Sequence, residues 1–471
     1  MLGVVLRVAT FPTWGIVYDG AEYAVMGKSL LDHGEFLRPD ALGMAYYRHY
    51  GPLFPAYLSM FYAAFGFGVA VTKVAEVALS LLFLAVVYVT TRDLFGRTKA
   101  WFATAYVALE PMFFITSTIG YSENLVGLLF VGTVWAVIKA LRHPRFLLLA
   151  GVLAGLGFLA KAPIGYVFVI AAVAGLAWRV RYRGWGVLRD RWYLGGVAAF
   201  CLLAGGWTLR NLARYGWPNW ETSAQLDAAY AFGVAHPAIL LTGLAEKVPW
   251  FLLIFLFYGG MFLPELRRSL RRVREERTSA LWLAVGLVFV MGWIVSAFFW
   301  TVEHTPVWWH DNLRYVSIAS PVLLWAAMRE ATPFARLGAP ERPSLWSFRS
   351  RFFALMGVFV IVNLVVVAFP APYSHIAAVQ EMDRYLQAGD TLALDGLSPE
   401  LVLPYVRVGG VQVVLYRAGF NGTFVLSATS ARYSGFVLME SYQGQDLTGW
   451  SYACRLWAKA AIVAEGRLAQ G

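Results

Sequence analysis

Long apolar runs alternate with short polar ones through most of this 471-residue chain. A membrane-spanning helix needs about 20 largely apolar residues. The runs 69–91, 100–119, 124–141, 146–160, 164–178, 193–208, 248–263, 279–301, 313–328 and 352–369 qualify or nearly do. Gly and Trp at the ends of the shorter runs extend them through the interface. The stretch 1–17 is shorter and carries Arg7; counting it, the pattern predicts about eleven spans. After residue 369 the period changes. Ile376, Val379, Met382 and Leu386 form a helical stripe. "TLALDG", "VQVVLY", "TFVLSA" and "GFVLME" read as strands, and Ser398-Pro399-Glu400 as a helix start. The expected fold is mostly α: a polytopic transmembrane helical bundle over 1–369, with a long first outer loop at 18–68, and a small α/β domain over 370–471.

Composition agrees, with 59% hydrophobic and 14% charged residues, where a soluble protein carries about a quarter charged. The formal charge of +11 is concentrated in alternate loops. One set holds Arg92, Arg97 and Lys99, then Lys139, Arg142 and Arg145, then Arg179 to Arg191, Arg267 to Arg277, and Arg329 to Arg351. By the positive-inside rule these loops are cytoplasmic. The charge therefore orients a plasma-membrane protein, and a nucleic-acid partner is not expected. Residues 18–68, 119–123, 161–165, 209–247, 302–312 and the chain beyond about 370 fall on the extracytoplasmic side. Two cysteines, Cys201 and Cys454, imply no disulfide framework.

The outer side gathers the residues capable of chemistry. In "YDGAEYAVMGKSLLDHGEF", Asp19 and Glu22 share a face if helical. A random acid pair solvates a loop, but a loop of this length without purpose is uncommon, and its apolar positions suit a juxtamembrane helix. Lys161, Arg210 and Arg314 lie at the outer level, against the general charge bias. A lone Lys there snorkels, whereas three cations suit a lipid phosphate. His49, His304 and His310 also fall outside, and "VEHTPVWWHDN" places Glu303 and Asp311 beside two of them. Imidazole and carboxylate suit Zn or Mn, so His49, Glu303, His304 and His310 are candidate ligands of a divalent metal ion, without a recognised spacing. Glu123 opens a helix, where a carboxylate is favoured by the helix dipole.

In order along the chain, "YDGAEY", "HGEF", "YGPLFP", "AAFG", "GLGFLAKAPIG", "WTLRNLARYG" and "RYVSIASPVLLWAA" resemble the GT-C superfamily of integral membrane glycosyltransferases. The branch is that of the protein O-mannosyltransferases and the aminoarabinose transferase of lipid A. The likeness covers roughly residues 1–330, with two departures: Gly20 stands where the family has the second acid of an Asp-Glu pair, and Gly51-Pro52 replaces its Pro-Pro. The Trp-Trp-Asp signature of oligosaccharyltransferases is absent, since His310 follows the two Trp. The resemblance implies inverting transfer of a sugar from a polyprenyl-phosphate donor to an acceptor protein, lipid or glycan, among membrane lipids at the outer face. It implies Asp19 as base, with Glu22 next in line, and Lys161, Arg210 and Arg314 on the donor phosphate. The alternatives are a transporter or flippase, against which the spans offer few ionisable groups beyond Lys73, Glu76 and Glu110, and a non-catalytic polyprenyl-phosphate-binding protein. The topology has a direct check: a membrane-impermeant thiol reagent on intact cells is expected to label Ser398→Cys and miss Ser269→Cys, and the reverse would invert the orientation.

Overall fold

The structure, a computed structural model, describes residues 2–10, 16, 19–40, 43–46, 51–161, 180, 184–215, 235–303, 314, 316–331, 347–368, 385–395, 402, 412–415, 423–427, 436–445 and 451–459. The chain opens with α1 (Leu2–Ala9) and α2 (Asp19–His33), an antiparallel hairpin of β1 (Leu37–Asp40) and β2 (Gly43–Tyr46), and α3 (Leu53–Phe65). The bundle continues with α4 (Val69–Phe95), α5 (Arg97–Leu109), α6 (Pro111–Ile119), α7 (Glu123–Ala140) and α8 (Phe146–Ala160). Next, α9 (Arg191–Phe200) runs through a π-helical turn at Cys201–Gly205 into α10 (Gly206–Tyr215). Then come α11 (Pro237–Gly259), α12 (Leu263–Arg271), α13 (Glu276–Glu303), α14 (Ser320–Glu330) and α15 (Phe348–Ala368). Among the described residues six helices are long and apolar enough to cross a membrane, and the bent pair α5–α6 makes up to a seventh. The protein is a multi-pass membrane protein. The run 164–178 lies outside the described residues.

The segment 18–68, expected as an outer loop with a juxtamembrane helix, holds two helices and a hairpin among its described residues. Its segments are too short to register as spans, yet α2 is not a surface helix: Gly20, Ala21, Tyr23 to Gly27 and Ser29 are buried. It packs along α3, and Tyr23 meets Phe54 edge-to-face at 5.0 Å. The run 100–119 is broken in the middle by a 50° bend. The cause is local. Pro111 has no N–H and disfavours a helical residue before it, so Glu110 turns out of the helix at φ −59°, ψ 122°.

Within a bilayer the carbonyls released by such a break need internal partners. The Arg7 guanidinium donates to the Ala108 carbonyl at 2.9 Å, and Asn363 donates to the Leu109 carbonyl at 2.9 Å. Arg7 also donates to Ser117 Oγ at 2.8 Å. Glu110 accepts from the Phe113 N–H and from the Tyr258 hydroxyl, each at 2.6 Å. Helices α1, α11 and α15 thus each send one polar side chain to the same break. That is why a short first helix can carry a buried arginine.

The C-terminal strands β3 (Thr391–Asp395), β4 (Gln412–Leu415), β5 (Phe424–Ser427), β6 (Phe436–Gln445) and β7 (Ser451–Lys459) form one sheet in the order β4-β3-β5-β7-β6. Strand β3 is parallel to β4 and β5, whereas β7 is antiparallel to β5 and β6. The four strands read from the sequence are present, and β7 is added to them. Ile376, Val379, Met382 and Ser398 lie outside the described residues, while Leu386 is buried. The α5–α6 break gives a measurable expectation. Arg7→Met removes the partner of the Ala108 carbonyl and of Ser117, and is expected to destabilise the bundle by about 2 kcal/mol or more, seen as a lower melting temperature in detergent.

Candidate active site

Asp19 begins α2, Glu123 begins α7, and Lys161 caps the end of α8. The three ends meet, with Arg314 from far along the chain. An Arg314 Nη1 hydrogen bond reaches Asp19 Oδ2 at 2.9 Å. Arg314 Nε lies 4.0 Å from Glu123 Oε1, and Lys161 Nζ donates to that same oxygen. The side chains of Lys161 and Glu123 are 3% and 1% exposed, those of Arg314 and Asp19 12% and 17%. Charges therefore alternate from a sealed end at Lys161 to an open end at Asp19, and they sum to zero. Removing one member of a buried pair costs about 3–5 kcal/mol, because its partner is left charged and dry.

The turn between α6 and α7 supplies the wall of the site. Gly120 closes α6 at φ +86°, a conformation that suits glycine. Tyr121 then lies under the Arg314 guanidinium at 5.2 Å from its ring centroid, and Ser122 Oγ shares a hydrogen bond with the Tyr23 hydroxyl at 3.1 Å. Burial first, and then the Asp19 and Glu123 carboxylates, push the Tyr23 phenol well above its ordinary pKa. It stays protonated and serves as a fixed dipole.

Close backbone approach sets these distances. A Cβ on Gly20 would fall 2.1 Å from the Ile119 carbonyl oxygen, and one on Gly51 2.0 Å from that of Leu159. No side chain fits at either position without moving α2 or α3. Gly20 is thus where it is for contact: the second acid of the family pair is excluded here by the end of α6.

The other expected site residues fall in different places. Glu22, one turn along α2, is half-buried. Arg210 is held on α10, its guanidinium 4.4 Å above the Trp207 ring and bonded to Asn211 Oδ1 at 2.9 Å. His49, His304 and His310 lie outside the described residues, and Glu303 ends α13 with its side chain undescribed. Among the described residues no group of three or more His, Cys, Asp or Glu side chains could hold a metal. Sequence reasoning named Lys161, Arg314, Asp19 and Glu123 singly, but not that they meet. The pairing of Glu123 with Lys161 and the parts played by Tyr23 and Ser122 were missed, although "GYSEN" sits directly at a helix start.

No curated protein sequence matches the chain. Residues 49–207 match the family described as Dolichyl-phosphate-mannose-protein mannosyltransferase. The fold is similar to that of ArnT from Cupriavidus metallidurans bound to undecaprenyl phosphate, with TM-score 0.66 and 13% identity over 97% of this chain and 96% of that one. ArnT in the apo state gives TM-score 0.64 and 14% identity, covering 96% of each chain. An oligosaccharyltransferase from Archaeoglobus fulgidus, in complex with Zn and sulfate, gives TM-score 0.56 and 13% identity over 91% of this chain and 67% of that one. At these identities the structural likeness is one of fold, and it spans nearly the whole molecule. The chain thus has the fold of ArnT over nearly its full length, and residues 49–207 within it are similar to the mannosyltransferase family.

Proposed function

We propose that this protein moves a sugar from a polyprenyl-phosphate donor to an acceptor hydroxyl on the extracytoplasmic face, with inversion and with Asp19 as base. The observation that carries the reading is the graded exposure of the charge row: Asp19 is its most open member and is aimed by a nearly buried Arg314. A general base must lie within hydrogen-bond reach of the proton that it takes. Asp19 accepts the proton of the acceptor hydroxyl as that oxygen forms its bond to the sugar's anomeric carbon. The bond from that carbon to the phosphate oxygen breaks on the opposite face, and its electron pair stays with the phosphate. Arg314 orients the carboxylate, and Glu123 with Lys161 keeps Arg314 in place. A structural relative, ArnT, was solved with undecaprenyl phosphate, which favours the same class of donor here. The loop-charge alternation favours the outer face. Against the transport reading, Arg7 and Glu110 are committed to the α5–α6 break.

Screening polyprenyl-phosphate mannose, glucose and aminoarabinose as donors identifies the sugar. With the active donor, Asp19→Asn is expected to lower turnover at least about 10²-fold and to lower the melting temperature, because Arg314 loses its counter-charge, while donor binding is unchanged; wild-type turnover would remove Asp19 from the reaction. Gly20→Ala tests the placement of the base. The added methyl meets the Ile119 carbonyl, so α2 must shift, and a displacement near 1 Å costs about a hundredfold in rate. A Gly20→Ala protein with full activity would show that the base tolerates movement and is not held by this contact.

A further inference from the structure

Two of the three outer-level cations have carboxylate partners: Lys161 meets Glu123, and Arg314 meets Asp19. Arg210 differs. Among the described residues its contacts are the Asn211 side-chain oxygen and the Trp207 ring, and it keeps donors to spare because a guanidinium carries five. Trp207 Nε1 is buried and has no hydrogen-bond partner among the described residues. A buried polar group of that kind costs about 1–3 kcal/mol if it is left unsatisfied. Trp207 also packs edge-to-face on Phe36 at 5.7 Å, in a small apolar cluster with Met26 and Leu30 that is separate from the main core.

We propose that Trp207 is a direct ligand of the donor's phosphate, its indole N–H and the Arg210 guanidinium taking separate phosphate oxygens. The inference rests on the polyprenyl-phosphate donor reading above, and assigns the phosphate to this pair. Both groups are donors only, so their ligand must bring acceptors and negative charge. The donor's phosphate diester does so through its two non-bridging oxygens, as does the monoester that is left after transfer, whereas a sugar hydroxyl would also want an acceptor. The guanidinium lies over the ring and the indole N–H lies in the ring plane, so one compact anion can meet both. The π-helical turn at Cys201–Gly205 comes immediately before them. Such a turn adds a residue to the helical repeat and re-aims the side chains that follow, and it recurs at functional sites.

The spacing along α2 agrees with an in-line reaction. Trp207 packs against the cluster that Met26 forms with Phe36, and Met26 is two turns beyond Asp19, or roughly 10 Å along the helix. From a base oxygen, through an attacking hydroxyl and the anomeric carbon, to the phosphorus of a leaving phosphate is also roughly 9 Å at ordinary contact distances. The base and the phosphate site are thus spaced along one helix at about the separation that the reaction needs. Arg314 and Lys161 remain on the base side of that line.

The test uses the purified full chain in lipid nanodiscs, with undecaprenyl phosphate as probe and undecaprenol as the phosphate-free control. Trp207→Phe keeps an aromatic ring for Phe36 and Arg210 but removes the N–H. It is expected to weaken undecaprenyl phosphate binding about ten- to hundredfold while leaving undecaprenol binding and the melting temperature unchanged. Arg210→Gln is expected to lose at least as much, and Asp19→Asn to bind like wild type. Wild-type affinity in either Trp207→Phe or Arg210→Gln overturns the assignment. Should Trp207→Phe not fold, Arg210→Gln decides alone. A wild-type protein that binds undecaprenol as tightly as undecaprenyl phosphate is a different result: it defeats the donor reading itself.

Discussion

One carboxylate oxygen, Oε1 of Glu123, lies between two cations, Lys161 and Arg314. Through Arg314 its influence reaches Asp19. In a site this dry, none of the four charges is tolerable alone, because desolvation of an ion costs several kcal/mol and only a well-placed partner offsets it. The consequence is mutual constraint. The end of α8, the start of α7, the start of α2 and Arg314 must come together, or each leaves a bare charge in the bundle. Glycine contacts at Gly20 and Gly51 bring the backbones close enough for the row to close. The row is neutral in sum, so it sets geometry without favouring ligands of either sign.

The break at Glu110 follows the same rule for backbone dipoles. A proline opens the α5–α6 helix pair, and side chains from three other helices answer the exposed groups. The bend matters for the site because α6 ends at Ile119–Gly120, the wall against which Gly20 rests. A straight helix would carry that wall elsewhere. Polar chemistry inside the bundle is thus used to aim a helix end, and that end in turn backs the start of α2, where Asp19 joins the charge row.

How much of this could be read in advance depended on range. Spans, loop polarity and four of the five C-terminal strands follow from local periodicity, which is visible in any short window. Asp19, Lys161 and Arg314 stood out because they are charged where charge is scarce. Their mutual arrangement was not legible. Asp19 and Arg314 are 295 positions apart, and nothing local says that one will satisfy the other. Lys161 illustrates the gap well: as an isolated cation it suggested an anionic ligand, yet Glu123 already neutralises it. Gly20 is the converse. In the sequence it looks like a missing acid, and only the nearby Ile119 carbonyl shows that no side chain could stand there. The segment 18–68 was read as an outer loop carrying a juxtamembrane helix; its helices at 19–33 and 53–65 are each too short to signal a span.

Helix α8 has 15 residues, so it rises only about 22 Å, whereas the hydrocarbon layer is about 30 Å thick. It begins just after the basic Arg142 and Arg145 and ends at Lys161, so the Lys161 end stops several ångströms short of the opposite boundary. A helix that short is matched where the bilayer thins around it or its flanking groups reach outward. Membrane thickness then bears on the charge row through α8: a thicker bilayer deepens the mismatch and raises the cost of holding the Lys161 end against Glu123.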